Sequence, residues 1–294
     1  MSDETLTMYG KQARRGALRE RVRRNPYTRV LMRGAQDMWS RISNPAYRHE
    51  ESELARLRAM PPHVPTVTNL PGFPVVLVDA PSFLAMYSDI FRAERYRFQS
   101  QSSRPFILDG GANIGLVTLY FKKLYPESKI IAFEPDPRIF GALERNVHGN
   151  GFRDVDLVPC ALWSSRQRLR FTSEGSWGGR MSRSGDTANG EVESVRLRDY
   201  LDRSVDLLKL DIEGAETEVL RDCAGALGRV RNLFVEYHSF AGEPQKIGGL
   251  LQLLSEAGFR LYFAAPDPSL QPLIERYVAC NIDAALNIFG VREP

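Results

Sequence analysis

Beyond residue 100, short apolar runs alternate along the chain with amphipathic segments of helical period. The runs are typical of buried strands, and the amphipathic segments, about a dozen residues long, are typical of helices. The predicted strands are 106–109, 129–134, 155–160, 205–211, 231–237, 259–263 and 285–289. The predicted helices are 114–125, 137–148, 215–223 and 244–257. Strands that alternate with helices form a mostly parallel sheet covered by helices on both faces, so the sequence predicts an α/β fold.

The first part of the chain has a different pattern. Residues 5–60 have an irregular helical pattern that two prolines interrupt, and residues 61–65 are rich in proline. These features predict a helical N-terminal arm and linker over residues 1–65. A second domain is then predicted over residues 66–294.

Two segments outside the alternating pattern are candidates for covering a ligand pocket. Residues 83–98, which follow a short predicted strand at 74–78, are predicted to form an amphipathic helix. Residues 175–193 are rich in glycine and serine and lack apolar periodicity. They are predicted to be a loop, either a mobile one over the site or an ordinary surface excursion.

A glycine-rich turn follows the first strand of the alternating part. Residues 106–115 read Phe-Ile-Leu-Asp-Gly-Gly-Ala-Asn-Ile-Gly, and a second apolar run, 129–133, is closed by Glu134. In a nucleoside pocket, backbone N–H groups at such a turn hold a polar ligand and the acid after the second strand accepts the two ribose hydroxyls. The sequence therefore predicts a nucleoside site, with a plain strand-to-helix turn as the structural alternative.

The glycine spacing narrows the choice of nucleoside ligand. Asp109, Gly111, Asn113 and Gly115 give D-x-G-x-N-x-G, and the chain lacks the G-x-G-x-x-G that cradles a dinucleotide pyrophosphate. The spacing favours S-adenosylmethionine, whose amino-acid end needs room for one acid and a few backbone groups. A nucleotide-dependent oxidoreductase on the same type of sheet is the alternative.

The carboxyl ends of parallel strands are where ligands bind in an open sheet, and they supply the candidate site residues. The predicted cofactor-binding residues are Asp109, Gly110, Gly111, Ala112, Asn113, Glu134, Pro135, Ala161, Leu162 and Asp211. Two pairs of polar residues are candidates for the part of the site beyond the nucleoside. Lys209 and Asp211 are two residues apart on one strand, and Glu236 and His238 are two apart on another, so each pair points to one side of its strand.

Three of these residues are predicted to be catalytic. Methyl transfer to a hydroxyl requires loss of the hydroxyl proton, and a histidine, whose reference pKa is about 6.5, suits a base at neutral pH. His238 is therefore the predicted base, with Glu236 orienting its ring and Asp211 holding the methionine ammonium or orienting the acceptor. The structural alternative for His238 is a core histidine bonded to a neighbour.

The same residues also suit a divalent metal. Asp211, Glu236 and His238 offer oxygen and imidazole ligands, and some O-methyl transfers use a divalent ion to lower the pKa of the acceptor. Because no spacing motif in the chain demands a metal, the sequence analysis predicts catalysis without one.

The motifs together resemble the FkbM-type methyltransferases, a class I S-adenosylmethionine-dependent family, over roughly residues 75–264. The matching segments are Ile107–Gly115, Ala132–Asp136 with Asn146 and Asn150, Asp206–Glu216 and Phe234–His238. The resemblance implies a Rossmann-like seven-stranded fold and O-methylation of a sugar or natural-product hydroxyl. It also implies that the cofactor pocket is lined by Asp109, Gly111, Asn113, Glu134 and Asp211. Gly110 departs from the apolar residue that the family commonly has there.

Charge is distributed unevenly along the chain. Residues 1–60 hold 13 Lys or Arg and 7 Asp or Glu, a surplus of six, so the remaining 234 residues carry a net charge of about −3 and the whole chain only +3. A basic arm attracts polyanions, but its few aromatic residues give little support for stacking on nucleic-acid bases. A solvated or docking segment is the simpler interpretation, and a cofactor-sensing protein docked through this arm is the alternative function.

The cysteine content and the hydropathy of the chain indicate its cellular compartment. Cys160, Cys223 and Cys280 are odd in number and far apart, which favours reduced thiols over disulfides. The chain has no apolar run of the roughly 20 residues that a membrane helix needs, and residues 1–5 lack the features of a secretory signal. The sequence thus predicts a cytoplasmic O-methyltransferase that acts on a small-molecule or glycan hydroxyl, with the acceptor and the oligomeric state left open.

Overall fold

The computed structural model describes residues 44–173, 179–181, 188–265, 273–274 and 281–292. Its helices are α1 Pro45–Arg58, α2 Ala80–Tyr87, α3 Leu116–Leu124, α4 Pro137–Gly149, α5 Glu216–Asp222 and α6 Ile247–Glu256. Its strands are β1 Thr66–Thr68, β2 Val75–Leu77, β3 Phe106–Gly110, β4 Lys129–Phe133, β5 Val155–Val158, β6 Ala161–Trp163, β7 Arg168–Ser173, β8 Gly179–Met181, β9 Gly190–Arg196, β10 Val205–Leu210, β11 Val230–Phe240, β12 Arg260–Ala264 and β13 Ile282–Val291.

The main sheet has seven strands in the order β12-β13-β11-β10-β3-β4-β5. Strands β11, β10, β3, β4 and β5 are parallel, and β13 runs antiparallel to β11 and β12. The strand order reverses at β3, because the chain runs from β3 outward to β5 and then returns to β10 on its other side. This arrangement confirms the predicted α/β fold with a Rossmann-like, mostly parallel sheet of seven strands, and it creates a topological switch point where ligands bind.

Local sequence explains how the chain enters and leaves the strands around that point. All five residues of β3 are buried, as expected of a central parallel strand with both faces covered. Asp136 caps α4 by accepting hydrogen bonds from the N–H groups of Arg138 and Ile139, and Pro137 occupies the first turn. Asn146 of α4 bonds the backbone of Val76 and Ile114, and so ties β2 to the start of α3.

A second sheet has the order β6-β9-β7-β8. The sequence predicted one strand over 155–160 and a loop over 175–193, and both predictions were wrong in part. The strand β5 ends at Val158, and Ala161 begins a new strand that pairs with β9. Most of the described residues of the predicted loop belong to β8 and β9, residues 188 and 189 lie in neither strand, and residues 174–178 and 182–187 lie outside the described residues.

The predicted helix over 83–98 is shorter in the structure. Helix α2 ends at Tyr87, a π-helical turn covers Ser88–Arg92, and Glu94 has a positive φ of 50°. A left-handed residue cannot continue a right-handed helix, so the helical segment stops before it.

Residue contacts divide the chain into two units between Arg56 and Leu57. The predicted domain boundary at residue 65 remains a prediction, and most of the predicted arm, residues 1–43, lies outside the described residues. Among the helices that the structure describes, none is long and apolar enough to cross a membrane.

Candidate active site

A cavity of about 300 Å³ opens at the carboxyl ends of the central strands. It is lined by the β3–α3 turn, the end of β4, the β10–α5 turn and β11, and by residues of α2, β6 and β7. The residues that line it include Ala85, Met86, Tyr96, Gly111, Ala112, Asn113, Phe133, Glu134, Pro135, Ala161, Leu162, Lys209, Asp211, Glu213, Glu236 and His238. The structure thus brings most of the predicted site residues to one cavity, at the predicted edge of the sheet.

The turn after β3 is held against two neighbouring strands. The N–H groups of Gly111 and Ala112 both donate to the carbonyl oxygen of Phe133, at 3.0 and 2.9 Å. Gly111 has a φ of +75°, and a Cβ at this position would lie 1.7 Å from the carbonyl oxygen of Asp211. The turn therefore requires glycine for its backbone conformation and for its close approach to the end of β10.

The carboxylate of Glu134 is anchored by backbone donors. Its two oxygens accept hydrogen bonds from the N–H groups of Asn113 and Asp136, at 3.0 and 2.9 Å. Each carboxylate oxygen has two lone pairs, so both can accept a further donor from a ligand. Burial raises the pKa of Glu134 to about 7, above the ordinary value of a glutamate. Glu134 therefore titrates near neutral pH, at the position predicted for the ribose.

Asp109 and Gly110 lie beneath the turn. The residues that the structure describes around the cavity do not include either of them, and Asp109 is fully buried. Asp109 accepts a hydrogen bond from the Thr118 hydroxyl at 2.7 Å, and its other oxygen is 3.5 Å from Lys209 Nζ. The predicted contact of these two residues with the cofactor stays a prediction; in the structure both lie at the end of β3, from which the glycine turn begins.

Lys209 links the turn to the acids. Its side chain is buried, and its Nζ donates to the carbonyl oxygens of Gly110 and Gly111, at 3.2 and 2.6 Å, and lies 3.7 Å from Asp211. Burial lowers the pKa of Lys209, but the neighbouring carboxylates outweigh that effect and the net pKa is raised. The ammonium is therefore a permanent positive charge under the glycine turn. The sequence predicted that Lys209 lies near the end of a strand, but it did not predict the hydrogen bonds from Lys209 to the turn.

His238 is held by Glu216. Its Nδ1 lies 3.0 Å from Glu216 Oε1, and the same oxygen accepts from the N–H groups of Ile212 and Gly214. The prediction that Glu236 orients His238 is corrected by this contact. Glu216 is the last residue of the segment Asp206–Glu216, which carries the family resemblance. It reaches β11 because the chain turns sharply, with positive φ, at Glu213 and Gly214.

The electrostatic environment does not suit the predicted role of His238 as a base. Burial lowers the pKa of His238, but the carboxylates of Glu216, Glu213 and Asp211 outweigh burial and raise the pKa to about 10. In this arrangement the ring is an imidazolium at neutral pH and has no lone pair for the acceptor proton. Glu236 also lines the cavity, and burial together with the charge of Asp211 raises its pKa to about 7.

The sequence model of the family described as the methyltransferase FkbM domain matches residues 109–261. The chain therefore belongs to the FkbM methyltransferase family, which confirms the resemblance found in the sequence.

Individual relatives extend this match. The chain is 33% identical over 205 residues to methyltransferase sdnD of Sordaria araneosa, covering 57% of this chain and 79% of that protein. It is 29% identical over 236 residues to 31-O-demethyl-FK506 methyltransferase FkbM of Streptomyces tacrolimicus, covering 67% and 89%. A crystal structure of methyltransferase FkbM from Methylobacillus flagellatus KT superposes with a TM-score of 0.45 at 17% identity, over 69% of this chain and 47% of that one.

Proposed function

We propose that the protein transfers the methyl group of S-adenosylmethionine to a hydroxyl oxygen of a small-molecule or glycan acceptor. The observation that carries the proposal is that the Gly111 turn and Glu134 line the same cavity as the acids Asp211 and Glu236. Family membership supports methyl transfer. Two relatives have names that specify oxygen as the methylated atom: the Streptomyces tacrolimicus protein and 2-O-methyltransferase NoeI of Sinorhizobium fredii.

The cavity residues fit this cofactor. Gly111 lines the cavity at a point where only glycine fits, because a Cβ would lie 1.7 Å from the carbonyl oxygen of Asp211, and the carboxylate of Glu134 has capacity for the two ribose hydroxyls. Pro135, Ala161 and Leu162 line the same cavity and offer apolar surface to the adenine. We infer that one carboxylate oxygen of Asp211, which follows β10, attracts the methionine ammonium.

The chemistry divides between the cofactor and the protein. S-adenosylmethionine, when bound, supplies a methyl carbon on a positively charged sulfur. The acceptor oxygen forms a bond to this carbon while the carbon–sulfur bond breaks. The electron pair of the broken bond stays on sulfur, and the hydroxyl proton leaves. We assign that proton to the carboxylate of Glu236, which lines the cavity beside Asp211. Tyr96 and Met86 line the same cavity and help to keep water from it.

A methyl-transfer screen tests the proposal. The protein is incubated with S-adenosylmethionine that carries a trideuterated methyl group and with extracts rich in hydroxylated small molecules and glycans. We expect mass spectrometry to find the label on an oxygen atom, and Glu236→Gln to slow its transfer by about 10²–10⁴-fold. Label on nitrogen or carbon would contradict O-methylation, and unchanged transfer in Glu236→Gln would remove that residue as the proton acceptor.

The raised pKa of Glu134 predicts a pH-dependent affinity for S-adenosylhomocysteine, the demethylated product. The ribose hydroxyls donate to the carboxylate, so below a pKa of about 7 the protein must release a proton in order to bind. Affinity should therefore be about tenfold lower at pH 6 than at pH 8. Glu134→Gln should bind about 1.5–3 kcal/mol more weakly at pH 8 and lose most of this dependence. An equally steep profile in Glu134→Gln would assign the titration to another group.

We also propose that the N-terminal segment is dispensable for cofactor binding. The described lining of the cavity begins at Ala85. A protein that lacks residues 1–43 should bind S-adenosylhomocysteine with the affinity of the full chain in isothermal titration. If the shortened protein remains folded by circular dichroism but fails to bind, the segment contributes to the site.

A further inference from the structure

We propose that the cavity holds a divalent cation of the manganese class, bound by the carboxylates of Asp211 and Glu213 and by Nε2 of His238. One oxygen of each acid and a ring nitrogen of the histidine all lie within 4.8 Å of one another. The residues come from two neighbouring strands: Asp211 and Glu213 follow β10, and His238 lies on β11. The set differs from the one considered in the sequence analysis, because Glu213 takes the place of Glu236.

The separations suit a shared cation. Ligand atoms that each lie about 2.1 Å from one metal ion are separated by roughly 3 Å at right angles and roughly 4 Å when opposite. His238 Nε2 is 3.6 Å from Glu213 Oε2, which is too long for a direct hydrogen bond and within this range. Only small side-chain movements are needed to bring the three atoms to bonding distance.

The hydrogen bond between His238 and Glu216 is a second observation that points to a metal. A metal-binding histidine usually donates its other ring N–H to a carboxylate, which fixes the tautomer and directs the free lone pair at the ion. His238 Nδ1 contacts Glu216 Oε1 in this way at 3.0 Å, and Glu216 is itself almost fully buried and held by two backbone N–H groups. Nε2 therefore faces Glu213 and the cavity. The imidazolium that the neighbouring carboxylates favour without a metal would lose its Nε2 proton when the ion binds, because a histidine ligand must be neutral.

The charge around the cavity favours a cation. Five carboxyl groups surround this region: Asp109, Asp211, Glu213, Glu216 and Glu236. The described basic side chains among them are Lys209 and His238. Lys209 lies between Asp109 and Asp211. A divalent ion at the three ligands offsets the remaining negative charge.

Two carboxylates and one imidazole leave coordination positions open. Carboxylate oxygens suit manganese and magnesium, and an imidazole shifts the preference toward manganese and other transition ions. Open positions that face the cavity would bind two oxygen atoms of an acceptor such as a vicinal diol or an α-hydroxy acid. This assignment of the acceptor class rests on the proposed methyl transfer, whereas the cation site itself does not.

The test is a titration of the full-length protein with Mn²⁺ followed by electron paramagnetic resonance. We expect one equivalent to bind, with a nitrogen coupling from an imidazole in the pulsed spectrum. Glu213→Gln and Asp211→Asn should each weaken binding at least tenfold, and His238→Gln should also remove the nitrogen coupling. Glu216→Gln should weaken binding about 10–100-fold, because Glu216 positions His238 but does not itself bind the ion. Glu218→Gln, on the same helix but outside the cavity lining, is the matched control and should bind as the unaltered protein does.

Absence of saturable Mn²⁺ binding in the unaltered protein, or an affinity in Glu213→Gln equal to that of the unaltered protein, would overturn the cation site. Circular dichroism of each variant separates loss of the ligand from loss of the fold. Titration of S-adenosylhomocysteine in the presence of a chelator separates this inference from the proposed function. Cofactor binding without Mn²⁺ binding would reject the cation alone, and Mn²⁺ binding without cofactor binding would reject the methyl transfer alone.

Discussion

Replacement of Gly111 by alanine is expected to abolish cofactor binding and to destabilise the protein. The new Cβ would lie 1.7 Å from the carbonyl oxygen and 2.9 Å from the carbonyl carbon of Asp211, and both are backbone atoms that cannot rotate away. The left-handed φ of +75° costs a non-glycine residue about 1–3 kcal/mol, and the overlap adds about 1–3 kcal/mol or more. The turn must move, and the space beside it for a ligand is lost.

Chemical denaturation and isothermal titration with S-adenosylhomocysteine measure the two effects of Gly111→Ala. Gly141→Ala is the matched control, because a Cβ on that helical glycine meets no heavy atom within 4 Å. The control should be neutral or more stable by up to about 1 kcal/mol, with unchanged affinity. Normal stability and normal affinity in Gly111→Ala would show that the turn is not held as described.

Replacement of Lys209 by methionine should cost about 3–5 kcal/mol of unfolding free energy. The substitution keeps the volume but removes the positive charge beside Asp109 and Asp211, and it removes the donor to the carbonyl oxygens of Gly110 and Gly111. Asp109 is fully buried, so its charge would be left without its nearest cation. The loss should be accompanied by weaker cofactor binding, because the glycine turn rests on this ammonium.

Two further variants identify the cause of that loss. Lys209→Met combined with Asp109→Asn should recover part of the stability, because the second change removes the buried charge that the first leaves behind. Lys129→Met removes the cation of an exposed pair, Lys129 with Asp156 at 3.8 Å, and should change stability little. Urea unfolding of the three proteins is the measurement. A double variant less stable than Lys209→Met alone would mean that the charge of Asp109 is not what makes the single variant unstable.

The parts of the fold that were predicted correctly have strong local patterns. Strands β3 and β10 are mostly apolar and almost entirely buried because both of their faces are covered, and α4 starts at a proline preceded by a capping aspartate. The second sheet has no such pattern. Strand β7 is partly exposed along most of its length, and β8 is three residues long, so neither has the periodicity of a buried strand.

The candidate site was predicted less completely because it depends on contacts between distant residues. The sequence placed Glu134, Asp211 and His238 at strand ends, and the structure brings all three to one cavity. It could not show that Glu216 turns back to bond His238, or that the surrounding acids raise the pKa of His238 to about 10. A reference pKa describes a solvated side chain, whereas this one is set by three-dimensional neighbours.

We have proposed that the cavity beside Gly111 and Glu134 binds S-adenosylmethionine. The most direct measurement is isothermal titration of the purified protein with S-adenosylhomocysteine and, separately, with NAD. We expect micromolar binding of S-adenosylhomocysteine at one site per chain, lost in Gly111→Ala, and no heat of binding with NAD. Binding of NAD in the same range, with none of S-adenosylhomocysteine, would contradict the claim.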